Sequence, residues 1–100
     1  MKTLPKQLHK YFWDTDPLTI DAANKSVYVI NRILQWGRVD DLRWLREEYG
    51  IEALKQVVRR SRELSVKHAN FFSLVYDIRR EEVLCLQPGF LLKHRNVWKH

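Results

Sequence analysis

Two pairs of closely spaced carboxylates are the first residues in this sequence to suggest chemistry. Asp14 and Asp16 form a DxD pattern, and Asp40 and Asp41 are adjacent. A catalytic pair of acids needs a metal ion or a further acid from a neighbouring element. Because Pro17 disfavours helix at Asp16, and carboxylates accept hydrogen bonds in turns, we interpret the first pair as turn residues. The second pair is better suited to cap a helix and to oppose its dipole.

Nucleophilic or metal chemistry would need cysteine and histidine side chains at suitable spacings. Cys85 is the only cysteine, so the chain can form no internal disulfide and no thiolate zinc site. It lies in an apolar run, which is typical of a small buried residue. No two histidines are three or four residues apart: they are His9, His68, His94 and His100. With no glycine-rich phosphate loop either, the sequence predicts no catalytic residue, no metal site and no cofactor, and it favours a non-enzymatic protein.

The strongest polar feature is a basic cluster in the second half of the chain. The formal net charge is +6, and most of it lies beyond residue 50. A basic surface attracts nucleic acid or an acidic protein face, although it also serves solubility. The candidates for nucleic-acid binding are Lys55, Arg59, Arg60, Arg62, Lys67 and His68.

These basic residues lie on either side of a predicted turn between two helices. Residues 51–77 have the dimensions of a helix-turn-helix pair joined at residues 61–64. The second helix, however, carries few polar residues that could contact base edges. A DNA-binding transcriptional regulator is therefore an alternative function, and an autoregulating protein would combine it with protein binding.

The elements that must position all of these residues are helical. Apolar residues recur at helical spacing in four segments between Asn24 and Ile78, separated by residues 37–39, Gly50 and residues 61–64. A shorter helix is predicted over residues 4–13 and an extended connector over residues 18–20. The sequence therefore predicts an all-α fold, a compact single-domain bundle of five or six short helices.

The helical pattern also predicts which residues face the core. The first long helix should begin between Asp21 and Asn24 and end at Gly37, which we expect in the left-handed conformation. Its inward stripe is predicted to be Val27, Ile30, Ile33 and Leu34. In the third long helix the stripe is Ile51, Leu54, Val57 and Val58.

The last long helix, capped by Ser65, is predicted to be the most central. It is the most apolar of the four, with Phe71, Phe72, Leu74, Val75 and Ile78. The tryptophans are predicted to be core residues as well, because large aromatic side chains supply much of the burial in a small domain. They are Trp13, Trp36, Trp44 and Trp98, with Trp44 at the edge of the core.

A chain of 100 residues matches one domain, which we divide into three parts. Residues 1–20 form a short helix and connector, residues 21–78 the helical core, and residues 79–100 an apolar and basic tail. Residues 81–86 fit either a helical turn or a short strand, and Pro88-Gly89 predicts a turn. The sequence begins without a signal peptide, and no apolar run approaches the roughly 20 residues that cross a bilayer. We therefore expect a cytoplasmic protein that does not enter a membrane.

Several motifs resemble a known family. They are Phe12-Trp13-Asp14, the run from Tyr28 to Gly37, the run from Asp41 to Leu45, and Tyr49-Gly50. Together they resemble a family of small bacterial proteins of unknown function whose members are encoded beside nucleotidyltransferase toxins of the AbiEii type. The resemblance implies an antitoxin or accessory protein that binds a partner protein and blocks its active site. It brings no known active-site residues with it.

A toxin pocket that handles nucleotides is expected to be basic, so acidic residues are the candidates for contacting it. With Trp44, the candidate partner-binding residues are Asp14, Asp16, Asp40, Asp41, Glu47 and Glu48. Arg32 is predicted to form a structural ion pair with Asp14 or Asp41 rather than to contact the partner. The sequence leaves the formation of a homo-oligomer open.

Overall fold

Four α-helices and several short 3-10 helices make up the computed structural model, which describes residues 2–88. The α-helices are α1 (Ser26–Trp36), α2 (Val39–Tyr49), α3 (Ile51–Arg60) and α4 (Val66–Val75). The 3-10 helices are Lys6–Tyr11, Pro17–Thr19, Arg80–Glu82 and Leu84–Leu86. Residues 2–88 contain no β-strand. The predicted all-α fold and the four successive helices are therefore confirmed, and residues 81–86 form helical turns rather than a strand.

The first three α-helices pack on one another and enclose the core. The N-terminal 3-10 helix packs against α1, whereas α4 packs against α3 and the Leu84–Leu86 turn. The largest fully buried side chains come from the N-terminal segment, from α1 to α3 and from the residues after α4: Leu8, Phe12, Val29, Ile30, Ile33, Leu45, Leu54, Val58, Val83 and Cys85. One apolar core thus unites the N-terminal segment, α1 to α3 and the turns after α4.

The start of α1 lies later than the sequence predicts. The helix begins at Ser26, and its N-cap residue, Lys25, makes no side-chain capping bond. Asp21 instead accepts hydrogen bonds from the backbone nitrogens of Lys2, at 3.0 Å, and Ala23, at 3.1 Å. Its carboxylate therefore ties the N-terminal residues to the turn before the helix, and its pKa is lowered because these amides stabilise the charged form.

Gly37 ends α1 for a different reason from the one predicted. Its φ is −75°, so the expected left-handed conformation is wrong at this position, whereas Gly50 does adopt a positive φ of 86°. A Cβ atom at residue 37 would lie 2.6 Å from the carbonyl oxygen of Ile33 and 2.8 Å from its Cγ2 atom. Glycine is needed here because the chain passes too close to the preceding turn for any side chain.

We expect Gly37→Ala to destabilise the fold, because the added methyl group must displace backbone atoms. The cost of such overpacking is about 1 to 3 kcal/mol, which lowers the melting temperature of a domain of this size by roughly 5 to 15 °C. Thermal unfolding followed by circular dichroism measures the effect. Arg43→Ala, at an exposed position within α2, is the matched control, and an equal shift in both variants would contradict the close-contact explanation.

The last long helix is not the centre of the core. Phe71, Leu74 and Val75 are 52%, 75% and 54% exposed, and in α4 only Ala69, Phe72 and Ser73 are buried. The prediction was wrong because α4 packs along one side only, against α3 and the Leu84–Leu86 turn. Its cap is as predicted, since the Ser65 hydroxyl accepts a hydrogen bond from the backbone nitrogen of His68 at 3.1 Å.

Two smaller expectations are also corrected. Val27 of the α1 stripe is exposed, and Val29 takes the inward position instead. Residues 17–19 form a 3-10 turn rather than an extended connector, because the Asp16 carboxylate accepts a hydrogen bond from the backbone nitrogen of Leu18 at 3.0 Å. Gly89 of the predicted Pro88-Gly89 turn and the tail from Phe90, including Trp98, lie outside the described residues.

Cys85 is buried, as predicted, beside a small polar cluster that the sequence did not reveal. The Ser61 hydroxyl donates to the Asn31 side-chain oxygen at 2.6 Å, and the Cys85 thiol donates to the Ser61 carbonyl oxygen at 2.9 Å. Burial raises the pKa of the Cys85 thiol, which keeps it protonated. The cluster joins α1 to the turn between α3 and α4, and it gives Cys85 a structural role.

Candidate partner-binding surface

Arg32 organises the polar contacts on one side of α1. Its guanidinium donates to both carboxylate oxygens of Asp14, at 2.9 and 3.0 Å. It also donates to the carbonyl oxygen of Tyr11 at 3.1 Å and to the hydroxyl of Tyr28 at 3.2 Å. The predicted ion pair with Asp14 is therefore confirmed, and the same side chain fixes the segment that leaves the N-terminal 3-10 helix.

Three aromatic rings surround the same guanidinium. The Arg32 Cζ atom lies 4.9 Å from the centre of the Trp13 ring, 5.2 Å from Tyr28 and 5.7 Å from Phe12. These distances allow cation–π attraction with each ring. The hydrogen bond from Arg32 lowers the pKa of Asp14, and the same bond raises the pKa of Arg32. Asp14 and Arg32 are therefore both charged at neutral pH.

Tyr11, at the end of the N-terminal 3-10 helix, is held by a second contact through its hydroxyl group. The Tyr11 hydroxyl donates to the Asp41 carboxylate, which also accepts a hydrogen bond from the backbone nitrogen of Arg38 at 2.9 Å. Asp41 is buried, and burial together with this contact raises the pKa of Tyr11. The predicted capping role of Asp41 is confirmed, and the residue in addition joins the N-terminal helix to α2.

Trp13 and Trp36 form an exposed aromatic pair beside these anchors. Their ring centres are 5.6 Å apart, and the rings meet edge to face at 83°. Trp13 is 64% exposed and Trp36 is 55% exposed, so the prediction that both are core residues was wrong. They pack on each other instead of entering the core, and Trp13 also packs on Arg32. We call these two side chains the tryptophan patch.

The candidate acidic residues lie in two regions of the chain. Asp14 is half-exposed in its ion pair, and Asp16 is exposed where it caps the 3-10 turn. The others belong to α2, where Asp40 and Glu47 are exposed and Glu48 forms an ion pair with Lys2. Spacings of four and three residues place Asp40, Trp44 and Glu47 on one side of α2.

Trp44 lies at the edge of the core, as the sequence predicts. It is partly buried, packs against the core and meets Tyr49 edge to face at a distance of 5.9 Å between ring centres. The Tyr49 hydroxyl donates to the carbonyl oxygen of Ala22 at 2.7 Å. Burial raises the pKa of Tyr49 to about 12. Trp44 therefore has less free surface for a partner than the tryptophan patch.

The basic cluster is only partly exposed. Arg60, Arg62 and Lys67 are exposed, whereas Lys55, Arg59 and His68 are partly buried. Arg59 faces Glu82, with 3.9 Å between Nε and the carboxylate. His68 stacks on Phe72 at 6.4 Å and contacts the Ser65 hydroxyl through Nδ1 at 3.1 Å.

Arg60 and Arg62 line a groove next to α1. They are not part of the exposed face of α4. The groove has a volume of about 320 Å³, and its lining includes Val27, Asn31 and Gln56. In a DNA-reading pair, α4 would present polar side chains to base edges. It presents Phe71, Leu74 and Val75 instead, so the structure offers little support for a recognition helix.

The tryptophan patch was missed because both of its residues are apolar. Phe12-Trp13-Asp14 and the run that contains Arg32 and Trp36 stand out in the sequence, but no spacing rule joins residues 13 and 36. Within residues 2–88, no three His, Cys, Asp or Glu side chains are grouped so that they could hold a metal ion. In the same part of the chain, no helix has the length and apolar character required to span a membrane.

The fold and the site together define a small all-α domain that presents an exposed tryptophan pair, in which Trp13 lies on Arg32 and the neighbouring residues Tyr11 and Asp14 are bonded to Asp41 and Arg32. A protein-family model described as a family of unknown function (DUF6922) matches residues 8–58, just over half of the chain. The chain belongs to this family. The matched segment contains Tyr11, Trp13, Asp14, Arg32, Trp36 and Asp41, and it ends within α3. Searches of curated proteins and of solved structures returned no match.

Proposed function

We propose that this chain is a non-enzymatic antitoxin or accessory protein that binds and inhibits a partner protein, a nucleotidyltransferase-type toxin, through the tryptophan patch. The observation that carries the proposal is the exposure of Trp13 and Trp36, which contact each other outside the core. Exposed clusters of large apolar side chains mark interaction sites, and tryptophan is enriched among the residues that dominate binding energy.

The rigidity of the surface supports the same proposal. Trp13 lies between two anchored positions, since Arg32 donates to the Tyr11 carbonyl and the Asp14 carboxylate, and Asp41 holds the Tyr11 hydroxyl. A side chain that is already positioned loses less conformational entropy on binding. The patch therefore suits a stable complex with a partner.

Helix α2 exposes both acidic and basic side chains, Arg43 and Arg46 among them, and its acidic residues are the ones suited to a basic partner surface. This helix begins three residues after Trp36, and its exposed residues include Asp40 and Glu47. A nucleotidyltransferase pocket that binds nucleotide phosphates is expected to carry basic side chains. Acidic residues next to an apolar anchor would then steer association and set the orientation of the complex.

Co-expression with the product of the neighbouring gene tests the proposal. The tagged chain should retain that protein through purification, and it should restore the growth of cells that express the product of the neighbouring gene. Capture without restored growth would support an accessory role rather than an antitoxin. If neither capture nor restored growth occurs, the proposed function is wrong.

DNA binding is the second candidate, because Arg60, Arg62 and Lys67 are exposed around the turn between α3 and α4. An electrophoretic mobility assay with duplex DNA at several salt concentrations distinguishes the two functions. A protein that neutralises phosphates loses affinity steeply with salt, with a slope close to the number of contacts. Salt-dependent binding that is lost in the triple alanine variant of these residues would favour the regulator.

A further inference from the structure

The side of α4 that faces away from the core is apolar. Leu74 and Val75 lie three and four residues after Phe71, which places each of them next to Phe71 on the same side of the helix. All three are more than half exposed. An apolar stripe of this kind on a small domain is normally covered by another segment or by a partner.

The described chain ends next to α4, on the side of the helix that packs against the core. The Leu84–Leu86 turn packs against α4, and Leu86 is buried. The Gln87 side chain donates to the carbonyl oxygens of Arg80, at 2.8 Å, and Val83, at 3.0 Å. These bonds fix the position of the chain just before Pro88, the last described residue.

The sequence that follows has the composition and length to cover α4. Residues 89–100 include the apolar side chains Phe90, Leu91, Leu92, Val97 and Trp98. Such a segment reaches about 40 Å when extended, whereas a helix as long as α4 spans about 15 Å. Segment and stripe are therefore matched in apolar character, and the segment is long enough to pass from the packed side of α4 to its exposed side.

We propose that residues 89–100 dock in their own chain on the α4 stripe formed by Phe71, Leu74 and Val75. The tail covers an apolar surface that the helical core leaves open, and α4 is thereby held between the α3 side and the tail. This proposal concerns a surface away from the tryptophan patch and does not depend on the proposed partner.

Labelling of an introduced thiol tests the docking. In Leu74→Cys the new thiol sits on the stripe, whereas the native Cys85 is buried and has a raised pKa. A tail that covers the site about 90% of the time slows labelling roughly tenfold relative to the same variant ending at Pro88. A full-length variant with Phe90, Leu91, Val97 and Trp98 replaced by serine should label as fast as the shortened chain.

Val39→Cys is the matched control, because Val39 is an exposed apolar residue at the start of α2. Its labelling rate should be the same in all three chains. Equal rates for Leu74→Cys with and without the tail would overturn the proposal. Protection that grows with protein concentration, accompanied by a dimeric mass in light scattering, would also overturn it and would assign the stripe to a second copy. Protection that appears only with an added partner protein would assign the stripe to that partner.

Discussion

Replacing Trp13 and Trp36 by alanine is expected to abolish capture of the partner protein in co-expression. Truncating one central aromatic residue of an interface typically costs 2 kcal/mol or more, which is about a 30-fold loss of affinity. The two rings contact each other edge to face, so each one also supports the position of its neighbour. We therefore expect Trp36→Ala alone to weaken binding strongly and the double variant to bring it below detection, as measured by pull-down and by titration calorimetry.

Trp36→Ala is the more informative single variant, because Trp13 also packs on Arg32. Its melting temperature should change by only a few degrees, since the side chain is 55% exposed. Leu18→Ala is the matched control: Leu18 is an exposed apolar residue of the Pro17–Thr19 turn. Full binding by Trp36→Ala, or an equal loss in Leu18→Ala, would remove the tryptophan patch from the interface.

Signals that act over a few residues were read correctly from the sequence. Ser65 caps α4, Gly50 separates α2 from α3, and the predicted α3 stripe faces inward, with Leu54, Val57 and Val58 buried and Ile51 packed against the core. Each depends on hydrogen bonding, backbone geometry or helical periodicity within one or two turns. Such features follow from the local sequence wherever the surrounding fold allows them.

Burial of the aromatic residues could not be read in the same way. Trp13 and Phe12 are adjacent in the sequence, yet Phe12 is fully buried and Trp13 is exposed. Which of the two enters the core depends on where α1 and α2 lie, and no local pattern contains that information. The local sequence of α4 likewise does not show which residues are buried. Its apolar residues are typical of a buried helix, but they are more than its one packed side can cover.

Among the contacts of the site, only the ion pair of Arg32 could be predicted from the sequence, because opposite charges attract. Arg32 was expected to find a carboxylate, and Asp14 is that partner. The contact between Tyr11 and Asp41 joins residues 30 positions apart, and a tyrosine hydroxyl has many candidate acceptors in any sequence. Capping explained why an acid belongs at residue 41, but the additional bond to Tyr11 required the tertiary structure.

Arg32→Ala is expected to lower the stability of the domain. The change leaves the Tyr11 carbonyl and the Tyr28 hydroxyl without their donor and removes the cation from three rings. A loss of about 2 kcal/mol is typical for such a set of contacts, which corresponds to a melting temperature lower by roughly 10 °C. The half-exposed ion pair with Asp14 adds little, because solvent screens it.

Matched variants and pH separate these contributions. Arg43→Ala removes an exposed arginine of α2 and should leave the melting temperature almost unchanged, while Arg32→Lys keeps the charge but loses the two-point bond to Asp14.

The pKa of Asp14 is lowered from its ordinary 3.8 by Arg32. A carboxyl group with a lowered folded-state pKa stabilises the fold above its unfolded pKa, and this contribution is lost as the pH falls through the folded value. The difference in stability between the native chain and Arg32→Ala should therefore narrow slightly below pH 3.8 and persist in large part, because the bond to the Tyr11 carbonyl and the contacts with the three rings do not depend on the charge of Asp14. A difference that vanished in acid would instead assign the whole effect to the ion pair, and equal melting temperatures at neutral pH would leave Arg32 free to act on the partner.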